Sequence, residues 1–308
     1  MSITHQSCVP HGTKSVFILG STGSGKSAVA VELAEILGNA EIISTDAYQV
    51  YKRMPIITAA PTVEEMGRVK HHLVGFMEPE ENNDAAEHAR RAEKISTRLY
   101  QGGMLPVHTG GSGLYVKFIS HGISPAPPSD PALREELNAL SLEEAVARLR
   151  EADPEGAAAT DLCNQRYVVR NLEIVLLGGK PLSYWRNNWV EPRGVGFCIM
   201  RDTAELDARI ARRAEQMVKD GVVEEIAALE GLTLSATASK TLGLTQVQDY
   251  LKGRCTRSEM ISAITLATRQ YAKRQRTWLR REKWLMPIEA GAGDTPRQLA
   301  EKIAALLR

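Results

Sequence analysis

From Val16 onward, short apolar runs alternate with longer segments in which apolar residues recur at helical spacing. VFILG (16–20), AEIIST (40–45) and MLPVHT (104–109) read as strands, and AVAVELAEIL (28–37), closed by Gly38, reads as a helix. Strands alternating with helices through the first 120 or so residues predict a parallel sheet covered by helices on its faces. Asp84 with Glu87 three residues later is a capping box, opening a helix that runs to about Tyr100 and stops at Gly102-Gly103.

The pattern then changes. SPAPPSDP (124–131) can continue neither helix nor sheet and reads as a hinge, and residues 132 to about 177 are helical in pattern with almost no strand signal. After the break EPRGVG (191–196), the run FCIM returns to strand character. The expected organisation is a core from 14–123, a looped-out helical insertion from 124–190, and a second core part from 191–308. Asp202 and Glu205 cap a helix with Leu206, Ile210, Ala214 and Met217 on one face and Arg209 and Arg213 beside it. Thr256 and Glu259 open the last long helix, ATRQYAKRQRTWLRREK. There Arg269, Lys273, Arg276 and Arg280 share a face, with Tyr271 and Trp278 interleaved. Such a stripe fits a nucleic-acid surface equally as well as an amphipathic helix with its aromatics in the core and its cations in water.

Composition adds limits. With 308 residues, 43% hydrophobic content and a net charge of +1, the chain is a globular protein with no global electrostatic signal for nucleic acid. Cys8, Cys163, Cys198 and Cys255 lie far apart, which argues against a zinc site or a disulfide framework and for reduced thiols in the cytoplasm. The first fifteen residues carry no long apolar segment, and no run is long enough to span a bilayer, so neither export nor membrane insertion is expected. His71 and His72 lack metal partners at useful spacing and read as packing residues.

The chemistry begins at the end of the first strand. Gly20-x4-Gly25-Lys26-Ser27 is the P-loop spacing, in which backbone N–H groups at a helix N-terminus surround phosphate oxygens. The loop residues Gly20, Ser21, Thr22, Gly23, Ser24, Gly25, Lys26 and Ser27 form the candidate phosphate cradle. Lys26 would neutralise the oxygens and the Ser27 hydroxyl would reach Mg2+. Asp46 falls just past the second strand, facing this loop across the cleft formed by the strand ends. There it could deprotonate an acceptor hydroxyl, help hold Mg2+, or take a proton from an amine that attacks carbon. No apolar run ends in an acid that would supply a second magnesium-binding strand, which weakens a kinase or ATPase reading.

These residues carry a resemblance. GSTGSGKS, ISTDAYQVYKRM, KHHL (70–73), GGSGLY (110–115), QRYVVRNLEI (165–174), GGKPLS (178–183), the run from Arg209 to Met217, and TRQYAKRQRTWLR (268–280) occur in the order found in the tRNA dimethylallyltransferases. Eight motifs in order make the chain similar to this IPP transferase family over about residues 16 to 284. The resemblance implies an α/β fold of P-loop NTPase type, a parallel sheet flanked by helices with a helical insertion domain. It implies that the loop holds the diphosphate of dimethylallyl diphosphate with Mg2+, and that the allyl group passes to N6 of adenosine 37 in tRNAs reading codons that begin with U. The anticodon stem-loop would carry adenosines at 36, 37 and 38.

The resemblance also implies Asp46 as general base, Ser112 (a threonine in the family) as a hydrogen-bonding partner near the amine, and Lys26 and Arg213 against the leaving diphosphate. It places tRNA contacts at Asp46, Ala47, Tyr48, Gln49, Ser112, Arg134, Gln165, Arg166, Tyr167, Val168, Val169 and Arg170, and with these the basic helix takes its nucleic-acid reading. The working unit is expected to be a cytoplasmic monomer. The chain departs from the family at Ala47 (usually serine), at PIITAAP (55–61), where Ala60 stands in place of a lysine, and at Leu244 (usually tyrosine). These departures bear on tRNA recognition more than on the chemistry.

Overall fold

The computed structural model describes residues 15–308; Cys8 and the N-terminal stretch read above lie outside the described residues. Six strands, β1 (Val16–Gly20), β2 (Ala40–Ser44), β3 (His71–His72), β4 (Leu105–Gly110), β5 (Val195–Met200) and β6 (Leu285–Glu289), form one parallel sheet in the order β3-β2-β4-β1-β5-β6. All five residues of β1 are buried. Alternation along that central strand explains the two cores. Val16 and Ile18 face the helices Lys26–Leu37 and Pro296–Leu306. Phe17 and Leu19 face the helices Ala85–Gln101 and Gly113–His121 on the other side.

Expected strands and helices fall close to their predicted positions, but β3, β6 and the C-terminal helix Pro296–Leu306 are additions. His71 and His72 form β3 itself, and His72 Nε2 bonds Glu41 Oε2 at 2.5 Å. Among the described residues no group of three His, Cys, Asp or Glu could hold a metal. Of the three capping boxes expected, only the one at Thr256–Glu259 is reciprocal; Asp84 and Asp202 cap their helices in one direction. A carboxylate at the N-cap accepts amide bonds well, yet here the glutamate three residues on does not return the bond. Among the described residues, no helix is long and apolar enough to cross a membrane.

Two compact units result. The first contains the sheet and comprises the described residues up to Ser120 together with Pro192–Arg308. The second, His121–Glu191, holds the helices Pro131–Asn138, Leu142–Ala152, Pro154–Ala158, Gln165–Gly178 and Leu182–Asn187. Its core is Leu137, Leu149, Val168, Val169, Leu172 and Leu182. Glu173 is fully buried beside that core, accepting bonds from Ser129 Oγ at 2.7 Å, Arg170 Nη1 at 2.5 Å and Arg134. Burial opposes ionisation of Glu173, but these donors outweigh it and hold the carboxyl down at about 2.

The C-terminal helix is part of the main core rather than an appendage. Leu299→Ala, at a fully buried position, should destabilise the protein by about 2–5 kcal/mol in denaturant titrations; a change below 0.5 kcal/mol would mean that the helix is not packed as described.

Candidate active site

The P-loop bridges β1 and the helix Lys26–Leu37. Gly25, the N-cap, has φ 90°, and Gly23 has φ 82°, a left-handed backbone that a side chain would strain. No side chain caps this helix, so the free N–H groups of its first turn and the positive end of its dipole point to an open cleft. The cleft encloses about 410 Å3 and is lined by Gly23, Gly25, Lys26, Ser27, the loop Ala59-Ala60-Pro61, and Arg209, Arg212 and Arg213. Glu65 is the one acid in this lining. Ala60, where the family resemblance has a lysine, therefore stands in the cleft wall.

Three arginines hold the loop from outside. Arg201 Nε donates to the Ser24 carbonyl at 2.8 Å, Arg209 Nε donates to the Gly23 carbonyl at 2.8 Å, and Arg213 Nη2 donates to Thr22 Oγ1. Burial pushes the Arg213 guanidinium down from its ordinary value, with the nearby Asp46 carboxylate opposing. Burial also lowers the Lys26 ammonium to about 8, the Asp46 charge raising it and the Arg213 charge lowering it further. Two desolvated cations so close together favour an anion. Of the loop residues expected in the cradle, Ser21 and Ser24 are buried, and Thr22 is bonded within the protein, its hydroxyl by Arg213 and its N–H by Gln275.

Across the strand ends, Asp46 follows β2. Its Oδ1 accepts the Tyr48 N–H at 2.9 Å, an Asx turn that fixes the carboxylate and leaves Oδ2 without a protein partner among the described residues. Ser112 Oγ, just past β4, accepts the Ala47 N–H at 3.3 Å and lies 3.4 Å from the Tyr271 hydroxyl. His88, wholly buried, bonds the Ser44 carbonyl through Nε2 at 2.9 Å, and burial pushes its pKa down from the ordinary histidine value. The structure thus brings Lys26, Arg213, Asp46 and Ser112 to one region.

Other residues expected to contact tRNA are bonded or buried within the protein in this structure. Gln49 uses both ends of its amide inside the protein, accepting from Ser44 Oγ at 2.8 Å and donating to the Ala59 carbonyl at 2.9 Å. Ala47 is buried, its carbonyl accepting from Asn83. Val168 and Val169 are core residues of the second unit, because helical geometry turns them away from the exposed Gln165, Arg166 and Tyr167. Arg134 and Arg170 are half-buried on Glu173. On the basic helix, Arg257–Leu279, the aromatics and the cations lie on different sides. Tyr271 and Trp278 turn toward Ser112 and Gly113, while Arg269, Lys273, Arg276 and Arg280 line a groove with Thr203 and Asp207 on the far side. At about 100° per residue, Tyr271 and Arg269 lie roughly opposite each other. His88, Tyr271 and Gln275 were not anticipated as site residues. Their signal was the apolar spacing within the helices, which marks inward faces without saying what those faces meet.

Fold and site together define an α/β protein with a glycine-rich loop of P-loop spacing, an uncapped helix end and a carboxylate beside it. The IPP transferase family model matches residues 49–282. A tRNA dimethylallyltransferase from Akkermansia muciniphila is 54% identical over 94% of this chain and 97% of its own length, and one from Geobacter sulfurreducens is 37% identical over 89% and 92%. The crystal structure of the Bacillus halodurans tRNA isopentenylpyrophosphate transferase superposes with a TM-score of 0.70 at 32% identity, covering 96% of this chain and 97% of that one. A eukaryotic dimethylallyltransferase described as acting on tRNA shares the fold, with a TM-score of 0.80 at 22% identity. The chain belongs to the IPP transferase family.

Because an anion in the cleft would restore the Lys26 charge, pyrophosphate affinity should be greatest below pH 8. It should fall as pH rises through the free-protein value of about 8, by up to about ten-fold per unit. Isothermal titration of wild type against Lys26→Arg, whose guanidinium stays charged, isolates this component from the titration of pyrophosphate itself. Identical pH profiles would remove Lys26 from the anion site.

Proposed function

We propose that the protein transfers a dimethylallyl group from dimethylallyl diphosphate to N6 of adenosine 37 in tRNA, releasing pyrophosphate. The observation that carries this reading is the uncapped P-loop helix with Lys26, Arg209 and Arg213 around its mouth and Asp46 and Ser112 beside it. The names and high identity of the relatives support the substrate pair.

The diphosphate lies on the first-turn amides, with Lys26 and Arg213 against its oxygens. The adenine amine approaches C1 of the allyl chain beside Ser112 and Asp46. As the N6–C1 bond forms, the C1–O bond breaks and its electron pair leaves with the diphosphate. Asp46, through its free Oδ2, takes the proton from nitrogen. Mg2+ fits as a companion of the substrate rather than as a resident ion, since Ser27 offers a hydroxyl without a protein partner and no three-ligand cluster exists among the described residues. When bound, the ion would add positive charge against the leaving group. The exposed Arg166 and Tyr167 of the second unit are the tRNA-facing candidates there, offering a cation to phosphate and a ring to a base. One chain carries cradle, base and hydroxyl, so a monomer suffices. The adenosine must leave its stack to reach these groups, at a cost of a few kcal/mol recovered by protein contacts.

Incubation with Mg2+, dimethylallyl diphosphate and an unmodified tRNA carrying A36-A37-A38, followed by digestion and mass spectrometry, should yield N6-dimethylallyladenosine. Binding of the tRNA without product across several such substrates would leave an RNA-binding relative that has lost the activity. In the same assay Asp46→Asn should lower turnover by about two to four orders of magnitude with pyrophosphate affinity nearly intact. Normal turnover in that variant would sink the base assignment.

A further inference from the structure

The helix Arg257–Leu279 reaches the active site with one face, and Gln275 sits at its centre. The residue is 5% exposed, and its single amide spans two loops from different strands. Oε1 accepts the Thr22 N–H of the P-loop at 2.7 Å, and Nε2 donates to the Gly111 carbonyl beyond β4 at 2.9 Å. One turn earlier Tyr271 meets Ser112, and one turn later the Trp278 ring covers Gly113. Residues i, i+4 and i+7 of one helix therefore touch three consecutive residues of the serine loop.

The approach has been given room. A Cβ at Gly111 would lie 2.6 Å from Gln275 Nε2 and 2.6 Å from the Gly20 carbonyl, so glycine is what lets the amide and the P-loop meet there. Thr22 is held from both sides, its amide by Gln275 and its hydroxyl by Arg213. A side chain needed only to fill this space could be aliphatic, whereas an amide satisfied at both ends by two active-site loops fixes their separation.

We infer that Gln275 is a positioning residue that sets the diphosphate cradle in register with the loop carrying Ser112. The inference rests on the reading above, in which the cradle holds the leaving group and Ser112 lies beside the attacking amine. Gln275 touches neither; it acts through Thr22 and Gly111. A displacement of either loop by about an ångström lengthens the nitrogen-to-carbon approach, and misplacement of that size can cost about 100-fold in rate.

The test compares Gln275→Leu and Gln275→Glu with Thr268→Val, another buried polar position of the same helix, whose hydroxyl donates to the Ile264 carbonyl one turn back. Gln275→Leu should lose about 10- to 100-fold in kcat while KM for tRNA changes less than about three-fold, and Thr268→Val should keep kcat at a comparable loss of Tm. Gln275→Glu retains an acceptor for Thr22 but presents a carboxylate to the Gly111 carbonyl. Protonation restores a donor, so the ratio of its kcat to that of wild type should rise as pH falls. The inference is overturned if Gln275→Leu stays within two-fold of wild-type kcat, if Thr268→Val at matched Tm loses as much, or if the Glu ratio is flat with pH. If Lys26→Ala left pyrophosphate binding unchanged, the cradle itself would be misassigned and the inference would fall with it. If Lys26→Ala weakens binding and Gln275→Leu keeps its kcat, only the role of Gln275 is lost.

Discussion

Positive charge gathered at the carboxyl end of β1 is the constraint around which the first unit is arranged. Lys26, Arg209, Arg212 and Arg213 line one cleft with a helix dipole, and Glu65 is the one acid in its wall. Such a concentration is costly without an anion: burial first, and neighbouring guanidinium charges after it, lower the pKa of both Lys26 and Arg213 while Asp46 opposes. Arg209 and Arg213 turn part of that cost into rigidity by donating to the Gly23 carbonyl and the Thr22 hydroxyl, and Arg201, paired with Glu205, adds a bond to the Ser24 carbonyl. Under the proposed function, an arriving diphosphate would meet a loop already shaped, with few groups left to order.

The helix Arg257–Leu279 divides its labour by face. Its inner face joins the P-loop to the serine loop, and its outer face carries cations over a groove shared with Thr203 and Asp207. From charge alone, the stripe of arginines and aromatics was compatible with one nucleic-acid surface. Once the helix is docked, both rings are half-buried against the serine loop, while Arg269, Lys273 and Arg280 stay exposed on the other side. In the second unit, Glu173 has a comparable organising role, drawing Arg134, Arg170 and Ser129 onto one buried carboxylate.

Local chemistry was legible in the sequence. The P-loop works over eight consecutive residues, so its glycines, Lys26 and Ser27 announce it without any tertiary context. The same holds for the Asp84, Asp202 and Thr256 caps, each of which acts within one helical turn. Strands β1, β2, β4 and β5 were readable as apolar runs between turn signals. Strand β6 was not, since Pro287 interrupts LMPIE and three of its residues, Met286, Pro287 and Glu289, are exposed at the sheet edge. The two-residue β3 is too short to leave a pattern.

The sequence by itself determined a glycine-rich loop of P-loop spacing at the end of a parallel strand, an acid after the next strand, and a helical insertion, because each depends on neighbours a few positions away. The tertiary structure alone decided which distant side chains complete the site. Gln275 is 253 positions from Thr22 and Arg213 is 191, yet both bond that one residue. Their positions follow from how the strands are ordered and how the helices pack on them, and no periodicity within a helix records what its buried face will touch.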